Sequence, residues 1–412
     1  MKSAVTQSAY HKAFDLFGLD AATEITSHGE VYERLLAQVA CAAAGNQKRK
    51  QRYLQRLLFS SFSGKLICLI RCWEKNENTC TLEDLKTTAL HLSPYHDCGE
   101  TIHCWAEPKT SGYGWRPLCS FGPKRKALHL LISDYLEARF GRDERNYLLP
   151  KKGAERASDW VVSMYQDEDY PYFILADIQN FYRSVQKGKI GKLLGLPEGI
   201  VTNALCIPTA AALSPVGSLL PDLTIETLVG AAQDGLPQGS RASQIVAGLL
   251  LGPTLRKISP AERFIFLADD VALVASTKQE ANALQKALVE TLASHPAGPF
   301  CLKHCTVQHV SRPFDFLQYR HKRDMFTGEM RRRPAVRSYA RYRQRVEKYF
   351  TELKFREAFR LTARYRWHWV RSFRRWKYNW LSKLALWQTT LNAMDAGLAL
   401  AKKKTQKTIP PA

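Results

Sequence analysis

No apolar run in the 412 residues approaches the roughly 20 that a membrane-spanning helix needs. The opening stretch, MKSAVTQSAYHKAFDLFGLD, lacks the apolar core of a signal peptide. Internal repeats and low-complexity linkers are missing as well, so neither a solenoid nor a tethered array is expected. Ten cysteines without the spacing of a small disulfide-rich domain point to reduced thiols and a cytoplasmic location. Two clusters combine Cys with His: His96, Cys98, His103 and Cys104, then Cys301, His304 and Cys305. Neither has the paired CxxC spacing of a structural zinc site, and ordinary thiols are the expectation. Acid is scarce: 38 Asp and Glu stand against 60 Lys and Arg, a net charge of +22 that points to a polyanionic partner. Hydrophobic residues make up 45% of the chain, which excludes a mostly disordered one, and the length allows two or three domains.

Against that basic background, acids in the middle of an apolar stretch stand out. FIFLADDVALVAS, 264–276, reads as buried strand, yet Asp269 and Asp270 sit at its centre. Burying two adjacent ionised carboxylates costs many kcal/mol unless something pairs them. A β-hairpin whose turn carries them is the simplest geometry. A second apolar run, PYFILAD, 171–177, ends in Asp177 and also reads as a strand. A strand-end Asp is ordinarily a cap and an Asp-Asp pair ordinarily a turn. Neither explains why the pair lies inside an apolar strand pattern. A pair of divalent cations would supply the missing positive charge and could activate a 3′-hydroxyl while stabilising a leaving pyrophosphate.

The remaining segments fill in an α+β order around one sheet. Residues 1–92 show helical periodicity, with the basic run QKRKQR, 47–52, as a solvated helix face or a phosphate contact. Residues 96–150 are mixed, punctuated by PKTSGYGWRP. GLPQGSRASQIVAGLLL, 235–251, reads as a Gly/Pro loop opening an apolar helix, and 277–294 as an amphipathic helix. From Arg320 to Lys383 there are 21 Lys/Arg and 5 Asp/Glu. There Trp369, Phe373, Trp376, Trp380, Leu384 and Trp387 recur at helical steps. Either this stripe packs inward and leaves a basic face exposed, or some of its rings stack on bases; both allow the basic face to meet a phosphate backbone.

Taken together, these blocks resemble reverse transcriptases of the bacterial, non-retroviral kind. FILADIQNFYRSV, GLPQGSRASQ and FLADD are similar to three palm motifs of that family; FDFLQY resembles the block that follows, and PKTSGYGWRPL the fingers segment upstream. The five blocks stand in the family's order over about residues 100–320. The resemblance implies a right-hand polymerase: a helical N-terminal extension (1–95), fingers and a palm with an antiparallel sheet (96–320), and a basic helical thumb (321–412).

It also implies roles. Asp177, Asp269 and Asp270 would be catalytic and hold two Mg²⁺, for which Mn²⁺ can substitute, with the carbonyl of Ile178 as a further ligand. Tyr182 falls at the steric-gate position that favours deoxynucleotides, and Phe181 would pack inward. Gln238 and Gly239 would border the nucleotide, Lys109 and Arg116 would neutralise its triphosphate, and Lys303 would lie near the phosphates. Arg371, Arg374, Arg375 and Lys377 would contact nucleic acid. The implied partners are dNTPs, an RNA template of the structured non-coding kind, and a DNA product or RNA–DNA hybrid; no membrane is involved. The resemblance extends to retron, diversity-generating and antiphage-defence enzymes of similar size, and no nuclease domain is expected after the thumb.

Three departures stand out: Leu267 for the usual Tyr, Gln244 after Ser243 where Pro is common, and Gln318 for Gly. They bear on primer placement and fidelity and spare the metal ligands. An RNA-dependent RNA polymerase, which usually carries Gly-Asp-Asp, and a catalytically silent RNA-binding palm are the alternatives. Template identity, priming mode, oligomeric state and any protein partner are left open by the sequence.

Overall fold

The computed structural model describes residues 4–74, 80–109, 114–148, 153–166, 169–217, 223–371, 373 and 380–407. The chain begins with five helices, α1 (Ala4–Phe17), α2 (Leu19–Ala44), α3 (Lys48–Ser60), α4 (Phe62–Cys72) and α5 (Leu82–His91). Then come β1 (Ile102–Pro108), β2 (Trp115–Ser120), α6 (Pro123–Phe140), α7 (Gly153–Gln166), β3 (Tyr172–Ile178), α8 (Phe181–Ser184), α9 (Lys187–Leu194), α10 (Glu198–Ile200) and β4 (Leu213–Pro215). Further on are α11 (Ile225–Gln233), α12 (Arg241–Leu255), β5 (Phe264–Leu267), β6 (Asp270–Ala275), α13 (Lys278–Ala293) and β7 (Leu302–His309). The last are β8 (Phe314–Phe316), β9 (Tyr319–Arg323), β10 (Met330–Pro334), α14 (Val336–Glu352), α15 (Phe355–Arg371) and α16 (Trp380–Lys407). The architecture is mixed α+β, mainly helical, with small sheets.

Two compact units share the chain, each assembled from separate stretches. One comprises 1–146, 178–258 and 287–303, the other 147–177, 259–286 and 304–412.

In the first unit the N-terminal helices pack around α4 and α6. The α4 sequence FSGKLICLIRC is apolar nearly all round, and Leu66 through Ile70 are fully buried, as a central helix requires. Ser61 caps it by accepting a hydrogen bond from the Gly64 amide at 3.1 Å. The basic run at 47–52 forms the first turns of α3 and is largely exposed. Strands β1 and β2 form an antiparallel hairpin, and β4 adds to β1 in parallel. Ile102, Cys104, Cys119, Phe121 and Leu228 make the core behind this sheet. The Gly/Pro loop after α11 ends at Ser240, whose hydroxyl accepts from the Ser243 amide and starts the buried helix α12.

The second unit is built on a sheet ordered β5-β6-β3-β7. Strand β3 runs antiparallel to β6, with Phe173 opposite Val274, Leu175 opposite Ala272 and Asp177 opposite Asp270. Side chains alternate faces along a strand, so all six share one face. Its apolar part packs with Trp160 and Val161 of α7 and with Phe314 and Phe316 of β8. Each large side chain buried there contributes about 1.5–3 kcal/mol. A separate core joins Tyr342, Val346 and Phe350 of α14 to Trp369, Leu386 and Ala393.

Two expectations for the basic C-terminal third need correction. The run beginning at Arg320 opens with strands: β9 pairs with β10 through His321–Arg332 and its neighbours, and helix starts only at Val336. The aromatic stripe is not one continuous face. Phe373 lies in a turn beyond α15, and while Trp369 and Phe373 are buried, Leu384 and Trp387 are exposed. Residues Arg374, Arg375, Trp376 and Lys377, and the side chains of Trp380 and Lys383, lie outside the described residues.

Candidate active site

The hairpin of β5 and β6 closes with Leu267 opposite Asp270, leaving Ala268 and Asp269 as its two-residue turn. Tight turns of this kind need a positive φ, usually supplied by Gly or Asn. Here Ala268 takes it, at φ 57°, a conformation that costs an L-residue about 1–2 kcal/mol. Asp269 is therefore in the turn, and Asp270 is the first residue of β6.

The register then sets Asp270 directly across from Asp177 at the end of β3. Side chains directly opposite in an antiparallel pair have Cβ atoms about 4.5–5.5 Å apart, and like charges there are destabilising. Two unit charges at such a distance repel by about 3 kcal/mol at an effective dielectric near 20. The consequence appears at Asp270. Its carboxyl is pushed up to about 7, first by burial, then by Asp269 and Asp177. Arg337 and Arg341 pull the other way and do not prevail. His304 of β7, which the sequence placed in a Cys/His cluster, comes instead to 3.9 Å from Asp177, Nδ1 to Oδ2.

Among the described residues, no group of three or more His, Cys, Asp or Glu side chains forms a ready-made cage for a metal ion. Magnesium seldom uses one. It takes one or two carboxylates and fills the rest of its shell with water and substrate phosphate. Hard oxygen donors, mutual repulsion and a raised carboxyl are what a divalent cation would relieve, so the three aspartates fit such an ion. Ile178 closes the strand with its side chain fully buried. The Cys/His clusters show mixed fates: Cys104 is buried, whereas Cys301 is exposed.

Most of the residues expected to meet the nucleotide lie in the first unit, and four of them share one neighbourhood there. The Leu236 amide donates to the Tyr182 carbonyl at 2.8 Å, and the Cys119 amide of β2 donates to the Gln238 carbonyl at 2.9 Å. Both contacts depend on glycine. A Cβ on Gly235 would come within 2.2 Å of the Tyr182 carbonyl oxygen, and one on Gly239 within 2.2 Å of the Cys119 carbonyl oxygen. Both glycines have positive φ. Lys109 Nζ donates to Asn180 Oδ1 at 3.0 Å, two residues before Tyr182. Phe181 is buried against Phe300, with ring centroids 5.0 Å apart, while Tyr182 is half-buried. Arg116 pairs across the β1–β2 hairpin with Glu107, a partner that sequence reasoning missed; the two are in register on adjacent strands. Lys303 is exposed on β7.

Neither a protein-family model nor a curated protein matches the chain. Among solved structures, one similar chain is a telomerase from Candida albicans in complex with a TWJ fragment of telomeric RNA. The TM-score is 0.35 at 12% identity, covering 74% of this chain and 61% of that one. No helix among the described residues is long and apolar enough to cross a membrane.

Proposed function

We propose that the protein is an RNA-directed DNA polymerase that extends a 3′-hydroxyl with deoxynucleotides. The observation that carries this reading is the opposition of Asp177 and Asp270 across β3 and β6, with Asp269 in the adjoining turn. The ordered sequence blocks around these aspartates support it, as does the net charge of +22, which suits a nucleic-acid partner. On this reading β3, β5 and β6 belong to a palm, β1 and β2 to fingers, and α14 to α16 to a thumb.

Asp177, Asp269 and Asp270 would hold two Mg²⁺, with the Ile178 carbonyl as an added oxygen. Bound there, the cations supply Lewis-acid activation of the 3′-hydroxyl and stabilisation of the leaving pyrophosphate. The protein's own groups do the selecting. The Tyr182 ring, its backbone pinned by the Leu236 amide, crowds the place of a ribose 2′-hydroxyl. Gln238 and Gly239 offer backbone that a substrate can approach closely. Lys109 balances triphosphate charge, and Arg116 does so by exchanging Glu107 for phosphate in a bidentate pairing. The template is an RNA, and a structured non-coding RNA suits an enzyme with so large a positive charge.

Primer extension on an RNA template with Mg²⁺ tests the reading. Wild type should incorporate dNTPs, and Asp177→Asn or Asp269→Asn should lose about 10³-fold or more, equivalent to several kcal/mol of transition-state stabilisation. Template binding should persist. Undiminished extension by Asp269→Asn would overturn the assignment. Incorporation of rNTPs alone would indicate an RNA polymerase. Tyr182→Ala should raise rNTP use relative to dNTP by about tenfold, the scale of one steric contact. An unchanged ratio in single-nucleotide assays removes Tyr182 from the gate.

A further inference from the structure

Helices α15 and α16 line a half-open cavity of about 420 Å³, within the range of about 300–1,000 Å³ typical of small-ligand sites. Its walls are mainly apolar and aromatic: Phe359, Trp367, Val370, Trp387 and Met394, with Thr362 among them. Two of these rings carry a guanidinium. Arg366 lies over Trp387 at 3.7 Å from the ring centroid, and Arg371 over Trp367 at 4.3 Å. Trp367 is 54% exposed and Trp387 45% exposed, so each indole is held from one side and open to solvent over much of its remainder. Two threonines line the same cavity with opposite fates. The Thr390 hydroxyl donates to the Leu386 carbonyl at 2.7 Å and meets the Tyr342 hydroxyl, whereas the Thr362 hydroxyl, in a residue only 4% exposed, has no partner.

Charge selects the occupant. Helix α15 carries Arg356, Arg360, Arg364, Arg366 and Arg371 against a single acid, Glu357. An apolar peptide gains nothing from such a field, whereas a phosphodiester chain does. A base already stacked within a duplex cannot enter a concave site, but an unpaired one can. We infer that the cavity between α15 and α16 is a nucleobase-binding site for single-stranded nucleic acid. The base stacks on Trp367 or Trp387, and its phosphates lie along the arginines of α15. The cation–π contacts orient the indoles beforehand, which lowers the ordering cost of binding. The Thr362 hydroxyl supplies a hydrogen-bonding group for the base edge after rotation about its χ1. None of this requires polymerase chemistry.

The test is equilibrium binding of the full chain, in EDTA and without nucleotides, to short fluorescent RNA and DNA single strands and to abasic strands of the same length. Substitutions Trp367→Leu and Trp387→Leu keep apolar bulk but remove the π-face, and thermal melts verify that they fold. The variant at the indole that carries the base should weaken binding to the base-containing strands about tenfold, the usual scale for one stacked base. Its affinity for the abasic strands and its salt slope should match wild type. Trp→Tyr at that position should recover most of the loss. Changing Arg356, Arg360 and Arg364 to Gln should weaken both kinds of strand and flatten the salt slope by about 0.7 per lost contact. Wild-type affinity in both leucine variants overturns the site, as an occupant other than nucleic acid would produce. An equal loss on abasic strands in a folded variant overturns it as well.

Discussion

Asp134 and Asp270 are both acids in the protein interior, and their surroundings are opposite. Asp134, on α6 in the first unit, is neutralised by Arg71 of α4 at 2.6 Å and accepts a further hydrogen bond from the Tyr32 hydroxyl at 3.2 Å. Asp270 faces two more carboxylates, and its own carboxyl is pushed up to about 7 despite two arginines nearby. A pair such as Asp134–Arg71 completes itself within the fold. The group around Asp270 keeps a repulsion that an added cation or a proton would relieve. The difference separates a carboxylate neutralised within the fold from carboxylates set against one another.

Removing the partner cation from each side breaks the comparison most sharply. Arg71→Gln leaves Asp134 buried without its counter-charge, and chemical denaturation should show a loss of about 3–5 kcal/mol, unaffected by Mg²⁺. A loss under 1 kcal/mol would mean that Asp134 has no need of Arg71.

Asp270 should behave the other way. In EDTA its folded carboxyl holds its proton up to about pH 7, while in the unfolded chain it ionises near the ordinary carboxyl value of 3.8. Between those values the unfolded state binds fewer protons, so this group's contribution to stability falls as pH rises, and levels off above about 7. Asp270→Asn, which cannot ionise, should match wild type near pH 4. It should become the more stable of the two by about 2–4 kcal/mol at pH 8 in metal-free buffer. Denaturation curves of equal midpoint for both proteins across that range would show that Asp270 is not under repulsion.

Why one of these sites was legible in the sequence and the other was not follows from how each is encoded. PYFILAD and FIFLADDVALVAS announce themselves because β-branched and aromatic residues crowd around isolated acids, and the strands, the turn and the amphipathic helix after them fall where the pattern puts them. The facing of Asp177 and Asp270 is a pairing between distant segments, fixed by register and carried by no local signal. Asp134 and Arg71 are invisible for the same reason, since each alone reads as an ordinary helix residue. The β9–β10 hairpin was mistaken for helix because YRHKR and MRRRP are so charged that no apolar alternation survives. The aromatic stripe misled in the opposite way, because helical spacing continued in the sequence past the end of α15 at Arg371. Glu107 and Arg116 pair only because of the register between β1 and β2, which no local signal in the sequence carries.

Manganese binding tests the central claim most directly, because Mn²⁺ substitutes for Mg²⁺ and reports its own environment by electron paramagnetic resonance. Titrated into wild type without nucleotide, whose triphosphate would itself chelate the ion, Mn²⁺ should lose its free-ion signal as it binds. The same titration of Asp177→Asn and of Asp269→Asn should leave most of the ion free, while Arg71→Gln, if folded, should bind as wild type does. Equal Mn²⁺ uptake by wild type and by both asparagine variants would contradict the account, because the three carboxylates would then not be the cation's ligands.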